Sequence, residues 1–183
     1  MRYEVAGRNL VFATDAGVFS KDRIDRGTRE LLKALTVRIR PGQRVLDLGC
    51  GYGPIGIVLG ALEPDAHVTM VDINQRACDL ARQNLAANGI ANAEVVCGDF
   101  AEAVGERTFD VIVTNPPIRA GRSVLRSMID WAHAHLVPGG ELFLVVRTRQ
   151  GAASLRKYMD AVFGNTDEPE KGGGFRVIRS VRR

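Results

Sequence analysis

A doubly wound α/β fold is predicted, with a mostly parallel seven-stranded sheet, an antiparallel edge strand and a short N-terminal hairpin. Three features of the sequence predict it. Short apolar runs alternate with helix-like segments from Asp25 onward, the pattern of βαβ units whose strands are buried on both faces. The run Val45 to Leu48 passes straight into glycines at Gly49, Gly51 and Gly53 and then into Pro54. Finally, an acid stands at the end of three successive runs: Asp47, Asp72 and Asp99. In an open parallel sheet those ends face one crevice, where ligands bind.

The elements follow in order. Arg2 to Thr14 alternates around Gly7-Arg8-Asn9 and reads as a hairpin. Asp15 to Asp25 reads as a loop whose Val18 and Phe19 either anchor the core or cover a ligand. A helix is expected from Asp25 to Val37, with Leu31, Leu32 and Leu35 as its buried stripe and Asp25 and Thr28 near its capped start. After the first strand, Pro54 opens a helix to Leu62, where a missing N–H costs nothing. His67 to Val71 is the second strand, ending on Asp72. Asn74 to Asn88 is a helix with Ala77, Leu80, Ala81 and Leu85 on one face, stopped by Asn88-Gly89.

Ala93 to Cys97 is the third strand, leading to Gly98-Asp99-Phe100, and Phe109 to Thr114 the fourth, leading to Asn115-Pro116-Pro117. A helix is expected from Ser123 to His135 with Val124, Met128, Trp131 and Ala132 on its apolar side, ended by Pro138-Gly139-Gly140. Leu142 to Val146 is a central strand, Ala152 to Phe163 a helix, Asn165 to Gly174 a mobile loop and Phe175 to Val181 a last, edge strand. Residues 1–183 are expected to form one domain, with 1–24 as the hairpin and a loop covering substrate and cofactor.

Strand, glycine turn and helix start make the nucleotide-cradling corner of a Rossmann-like unit. Gly51 to Gly56 matches the dinucleotide pattern G-x-G-x-x-G, but the pattern alone does not name the ligand. Asp47 discriminates. A carboxylate just ahead of the glycines repels a pyrophosphate and attracts a ligand bearing an ammonium and a sulfonium. The corner therefore favours S-adenosylmethionine over NAD. Asp72, about 20 residues on, stands where a ribose offers its hydroxyls.

Asn115-Pro116-Pro117 is either a rigid proline turn or the chemical centre. At a strand tip beside the cofactor crevice, the Asn115 side-chain oxygen and the Pro116 carbonyl can both accept hydrogens from one NH₂ group. Pro117, with no N–H, keeps the turn stiff. An exocyclic base amine is a poor nucleophile because its lone pair is delocalised. Two acceptors favour a more tetrahedral nitrogen held in line with a sulfonium methyl, so the work is positioning and charge stabilisation.

Composition narrows the setting. Apolar residues are 45% of 183, and no run approaches the roughly 18 apolar residues of a membrane span. The start Met1-Arg2-Tyr3-Glu4 does not read as a signal peptide. Three cysteines without metal-ligand spacing predict reduced thiols in the cytoplasm and no metal; Cys50 reads as a packing residue rather than a nucleophile. A net charge of +4 leans mildly toward polyanions.

Asp47-Leu48-Gly49-Cys50-Gly51-Tyr52-Gly53, Asp72, Asp99 and Asn115-Pro116-Pro117 resemble class I S-adenosylmethionine-dependent methyltransferases. Gly17-Val18-Phe19-Ser20, Asp25-Arg26-Gly27-Thr28 and the stretch Asn115 to Gly121 resemble, more narrowly, the small-subunit ribosomal RNA guanine-N2 methyltransferases and their short single-domain relatives. The resemblance implies methyl transfer to guanine N2 of ribosomal RNA. It implies that Gly49 and Gly51 pass the cofactor's amino-acid part, with Asp47 near its ammonium. Asp72 and Ile73 would meet the ribose side, and Asp99 and Phe100 the adenine. Asn115 and Pro116 would hold the target amine, Phe19, Asp25 and Thr28 would close over the site, and Ile118 and Arg119 would meet substrate.

The chain departs from the pattern at Ile118, where many relatives carry an aromatic residue, and at Arg119, where the longer guanine enzymes carry His. Those enzymes also have a further N-terminal domain. Stacking on a flipped base is then expected to be weaker unless another ring, such as Phe19, substitutes. Arg119, Arg122, Arg126, Arg147, Arg149, Arg156, Arg179, Arg182 and Arg183 make either a phosphate-binding rim or a solvated face, with Asp130 as a pairing partner for Arg126. The alternatives are a methyltransferase for a protein amide or small-molecule amine, an NAD-dependent oxidoreductase, and a cofactor-binding protein without turnover.

Overall fold

The computed structural model describes residues 2–14, 24–117 and 120–183. Phe19, Ile118 and Arg119, with the stretch 15–23, lie outside the described residues. The chain runs β1 (Arg2–Val5), β2 (Arg8–Val11), α1 (Arg26–Thr36), β3 (Arg44–Leu48), α2 (Pro54–Leu62), β4 (His67–Asp72), α3 (Gln75–Ala87) and β5 (Ala93–Cys97). It continues α4 (Phe100–Val104), β6 (Phe109–Thr114), α5 (Arg122–His135), β7 (Leu136–Arg147), α6 (Ala152–Phe163), β8 (Asp167–Gly172) and β9 (Phe175–Val181). β1 and β2 form a separate hairpin, and the other strands make a seven-stranded sheet in the order β5-β4-β3-β6-β7-β9-β8.

Strands β5 to β7 along that order are parallel, whereas β9 runs antiparallel to both β7 and β8. Successive residues of each strand serve opposite faces. Val45, Val111, Val113, Phe143 and Val145 join α1, α2 and α3 in one core. Leu46, Ile112, Leu142 and Leu144 join α5 and α6 in the other. Each large side chain fully buried there contributes roughly 1.5–3 kcal/mol. The chain order reverses at β3, whose neighbours β4 and β6 lead to opposite edges.

Several expectations are corrected. Asn165 to Gly174 is not a loop: Asp167–Gly172 is strand β8, the edge strand, so β9 is interior. Its polarity, with Lys171 and the three glycines Gly172 to Gly174, hid it, and its Pro169, which has no N–H, is tolerated because the strand lies at an edge. That edge is guarded by charge: Arg156 and Arg176 pair with Glu168, and Arg179 with Asp167. Strand β7 starts at Leu136 and passes through Pro138-Gly139-Gly140 on a register shift against β6, where the sequence suggests only a break. The short helix α4 was not anticipated. On α5 the buried residues are Ile129 and Ala132, while Val124 is exposed.

The hairpin turns on Ala6 and Gly7, both at positive φ, one residue ahead of the expected turn. Side chains of α3 hold it. Asn84 accepts from the Ala13 N–H at 2.7 Å and donates to the Ala13 carbonyl at 3.0 Å and the Tyr52 carbonyl at 2.9 Å. Asn88 does the same for Val11, at 2.8 and 2.7 Å. Two asparagine amides thus stand in for a neighbouring strand. Asn84, rather than Ala77 or Leu80, completes the buried face of α3. Asn84→Ala should cost about 1–3 kcal/mol in urea unfolding, because it strands buried backbone groups, and should speed proteolysis of the hairpin.

Candidate active site

Register places the site. Leu48 is paired with Val71 on one side and Thr114 on the other, and Asp72 with Cys97. The tips of β5, β4, β3 and β6 therefore stand in one row, and beyond them lie Asp99, Asp72, the glycine corner and Asn115. All of the predicted acids and the Asn-Pro-Pro turn come to this one edge.

The corner's N–H groups point inward. Gly49 and Cys50 both donate to the Val71 carbonyl, at 2.8 and 3.0 Å, and Gly51 donates to the Asp72 carboxylate at 2.9 Å. At the start of α2, Pro54 has no N–H, Gly56 donates to Asp47 at 3.0 Å and Ile57 to the Gly53 carbonyl. Helix N-termini and glycine loops hold pyrophosphates through free N–H donors. Here the N–H groups of Gly49, Cys50, Gly51, Gly53 and Gly56 are spent inside the protein, which argues against a dinucleotide on this corner. Gly49 and Gly51 take positive φ (70° and 58°), and a Cβ on either would meet open space. Glycine is needed there for the turn, and the outer face of the loop is clear.

Asp47 lies beneath that loop, 0% exposed. Its Oδ2 accepts from Gly56, while Oδ1 is buried with no partner among the described residues. Burial pushes its pKa up to about 7; the Gly56 N–H pulls the other way and the nearby Asp72 charge adds to the rise. An orphaned carboxylate oxygen under open glycines suits a cationic ligand or its bridging water. The donor set thus fits the ammonium-bearing end of S-adenosylmethionine.

Asp72 is half-buried, and each of its oxygens takes one backbone N–H, from Gly51 and Asn74. Each keeps a lone pair for a further donor. Asp99 occupies the N-cap position of α4, yet its side chain makes no cap bond and is exposed. That removes the ordinary reason for an acid there. Phe100 is fixed edge-on against Trp131 at 5.0 Å, and Ile73 is 76% exposed at the mouth. Cys50 is buried and its thiol pushed far above the usual range, chiefly by burial, which makes it inert.

Asn115, half-buried, donates from Nδ2 to the Thr28 hydroxyl at 3.0 Å. Asp25 caps α1, accepting from the Thr28 N–H at 3.1 Å and from its hydroxyl at 2.6 Å. The start of α1 is therefore seated on the Asn-Pro-Pro turn. The sequence placed these residues near the site; the bond between Thr28 and Asn115, 87 positions apart, carries no local signal.

The arginines separate into two groups. Arg122, Arg126, Arg147 and Arg149 are exposed at or near the catalytic edge, Arg126 over the Tyr158 ring and Arg147 over the Phe175 ring at 4.9 and 5.0 Å. Asp130 accepts from Tyr158 rather than pairing with Arg126 as expected. Arg156, Arg179 and Arg182 are taken up in bonds to Glu168, to Asp167 and Glu141, and to the Leu136 carbonyl, so they do not belong to a rim. Among the described residues no cluster of ligating side chains suits a metal, and no helix is long and apolar enough to cross a membrane.

The sequence profile of the methyltransferase small domain matches residues 9–179. The uncharacterized protein YbxB of Bacillus subtilis (strain 168) is 35% identical over 181 residues, covering 98% of this chain and 90% of its own. The ribosomal RNA large subunit methyltransferase G of Streptomyces avermitilis is 35% identical over 92% of this chain and 44% of its own. Among solved structures, the T. thermophilus 16S rRNA N2 methyltransferase (RsmC) in complex with AdoMet and guanosine superposes with a TM-score of 0.88 at 30% identity. That match covers 100% of this chain and 50% of RsmC. The chain thus spans about half the length of these two ribosomal RNA enzymes.

The buried Asp47 makes a pH test. Its folded pKa, about 7, lies above the ordinary 3.8, so the folded state binds the extra proton between those values. Stability associated with Asp47 is full below about 4 and is lost as pH rises through about 7. Asp47→Asn should remove that slope in thermal melts between pH 4 and 8 and raise the melting temperature most at the alkaline end.

Proposed function

The chain belongs to the methyltransferase small domain family, and on that premise we propose that it methylates an exocyclic amine of a nucleobase in ribosomal RNA, guanine N2 being the favoured acceptor. The observation that carries this reading is Asn115-Pro116-Pro117 at the tip of β6, directly beside the glycine corner of β3. S-adenosylmethionine, the methyl donor, supplies an electrophilic methyl group on a positively charged sulfur. This chain's residues do the rest.

Asp47, Gly49 and Gly51 are assigned to the donor's amino-acid end, Asp72 and Ile73 to its ribose, and Asp99 and Phe100 to its adenine. Asn115 Oδ1 and the Pro116 carbonyl accept the two hydrogens of the target amine, turning its lone pair toward the methyl carbon. As the N–C bond forms, the C–S pair returns to sulfur. The nitrogen then sheds a proton to water, so no strong base is needed, and none stands at the Asn-Pro-Pro turn among the described residues.

RNA is favoured over a protein amide or a small metabolite by the exposed cations on the catalytic edge, where Arg122 opens α5, Arg147 ends β7 and Arg149 lies just past it. Such cations hold phosphates and position a substrate without reading its sequence. Similarity to enzymes named for both ribosomal subunits supports ribosomal RNA as the substrate class.

Nucleoside mass mapping of ribosomal RNA from cells with and without the protein should reveal one methylated nucleoside that disappears; unchanged maps, with label entering protein or metabolites instead, would reject the reading. Asn115→Ala should reduce transfer by about 100-fold or more while the dissociation constant for the donor changes little by calorimetry. The double variant Arg122→Glu and Arg149→Glu should weaken binding to ribosomal RNA and flatten its salt dependence by about one to two units of log–log slope.

A further inference from the structure

The Asn115 amide has a fixed polarity, and it is set from another element. Asp25 accepts twice from Thr28, through Oδ1 from the backbone N–H at 3.1 Å and through Oδ2 from the hydroxyl at 2.6 Å. The first bond is an ordinary helix cap and needs one oxygen only. The second goes beyond what a cap requires. A threonine hydroxyl has a single proton, and a carboxylate has none to return. With that proton committed to Asp25, the Thr28 oxygen can only accept. The group facing it from Asn115 at 3.0 Å must then be Nδ2, which turns Oδ1 the other way. Thr28 is 2% exposed, so water does not compete for its hydroxyl.

The start of α1 is itself clamped. Gly27 has no Cβ, and one built there would lie 2.9 Å from the Phe175 ring, so only glycine admits that ring against the first turn. Arg147 lies across the same ring at 5.0 Å. Asp25 and Thr28 are thus held in place by contacts with the far half of the sheet.

We propose that Asp25 and Thr28 are positioning residues whose hydrogen-bond chain commits Asn115 to present its carbonyl oxygen, as an acceptor, to the target amine. A neutral amide free to rotate would offer its NH₂ half of the time and repel the amine's hydrogens; the carboxylate at the head of the chain removes that choice. The proposal rests on the reading of the site as an amine methyltransferase, and the experiment separates the two.

Asp25→Asn is the sharpest variant. The Thr28 N–H fixes the new side chain with its oxygen at the cap, so its Nδ2 replaces Oδ2 and donates to the Thr28 hydroxyl. The hydroxyl proton then goes to Asn115 and reverses the amide. Asparagine caps helices as well as aspartate does, so the melting temperature should hold. Thr28→Val removes the acceptor, and Thr28→Ser restores it.

The first measurement is the Asn115 side-chain NH₂ signal in ¹⁵N-labelled protein, which needs no substrate. In the parent and Thr28→Ser the two protons should be well separated and slow to exchange. In Thr28→Val and Asp25→Asn the bonded proton should lose that shift and protection. An Asn115 signal indifferent to Thr28→Val overturns the proposal. The second is transfer of labelled methyl to small-subunit ribosomal RNA at saturating donor. Thr28→Val and Asp25→Asn should lower kcat about 10- to 100-fold, since a small misplacement of a positioning group costs up to about 100-fold. Donor affinity should be unchanged and Thr28→Ser should recover the rate. Full activity in both variants while Asn115→Ala is inactive overturns the relay but not the function. Full activity in Asn115→Ala overturns the function reading, with the NH₂ signal still deciding whether the chain fixes the amide.

Discussion

Where the backbone N–H groups of the glycine corner go is the constraint on which the site depends. A sequence that reads G-x-G-x-x-G at a strand-to-helix turn serves an anion only if those groups are free. Here Val71, Asp72 and Asp47 consume them, and the loop that results is glycine-smooth outside and acidic beneath. The same four bonds, which tie the corner to β4 and the start of α2 to β3, leave a loop suited to positive charge rather than to an anion. Burying Asp47 with one oxygen unsatisfied is costly in isolation, and the cationic donor proposed to sit above it would offset that cost. Stability is surrendered where binding needs it.

The sheet topology supplies everything else at that edge. Because the chain reverses at β3, the strands assigned to the cofactor (β3, β4, β5) and the one assigned to the acceptor (β6, with α1 above it) meet at neighbouring tips without any long loop. Thr114 fixes the junction by donating to the Leu48 carbonyl at 3.0 Å in the core. Exposed arginines flank the β6–β7 side of the edge, while Arg156 of α6 and Arg176 and Arg179 of β9 are absorbed in neutralising the acids of the edge strand β8.

Much of this was legible in the sequence, and for definite reasons. Parallel strands buried on both faces leave apolar runs, and the acid ending each of three runs marks one crevice, so the gathering of Asp47, Asp72, Asp99 and Asn115 at one edge of the sheet was legible. Strand β8 was missed because polar residues such as Lys171 and a run of glycines suit a charged edge strand with its turn and a loop equally. The Pro138-Gly139-Gly140 passage was read as a break because a bulged strand and a turn use the same residues. Asn84 was overlooked because a polar residue on a helix's inner face declares itself only once its partner, a strand from another part of the chain, is seen. The grip of Thr28 on Asn115 is likewise a contact between distant segments. Periodicity reports burial; it does not report which polar groups meet.

The cap of α1 shows one consequence for how such a chain can be improved. One oxygen of Asp25 secures a helix and the other, as proposed, steers a reaction, so a screen for heat tolerance sees only half of the residue. Asparagine there would keep the cap and, on the reading proposed above, yield a sturdy, well-formed protein that has lost its aim. Robustness and turnover are recorded at the same carboxylate but on different atoms, and selection on the first leaves the second unguarded.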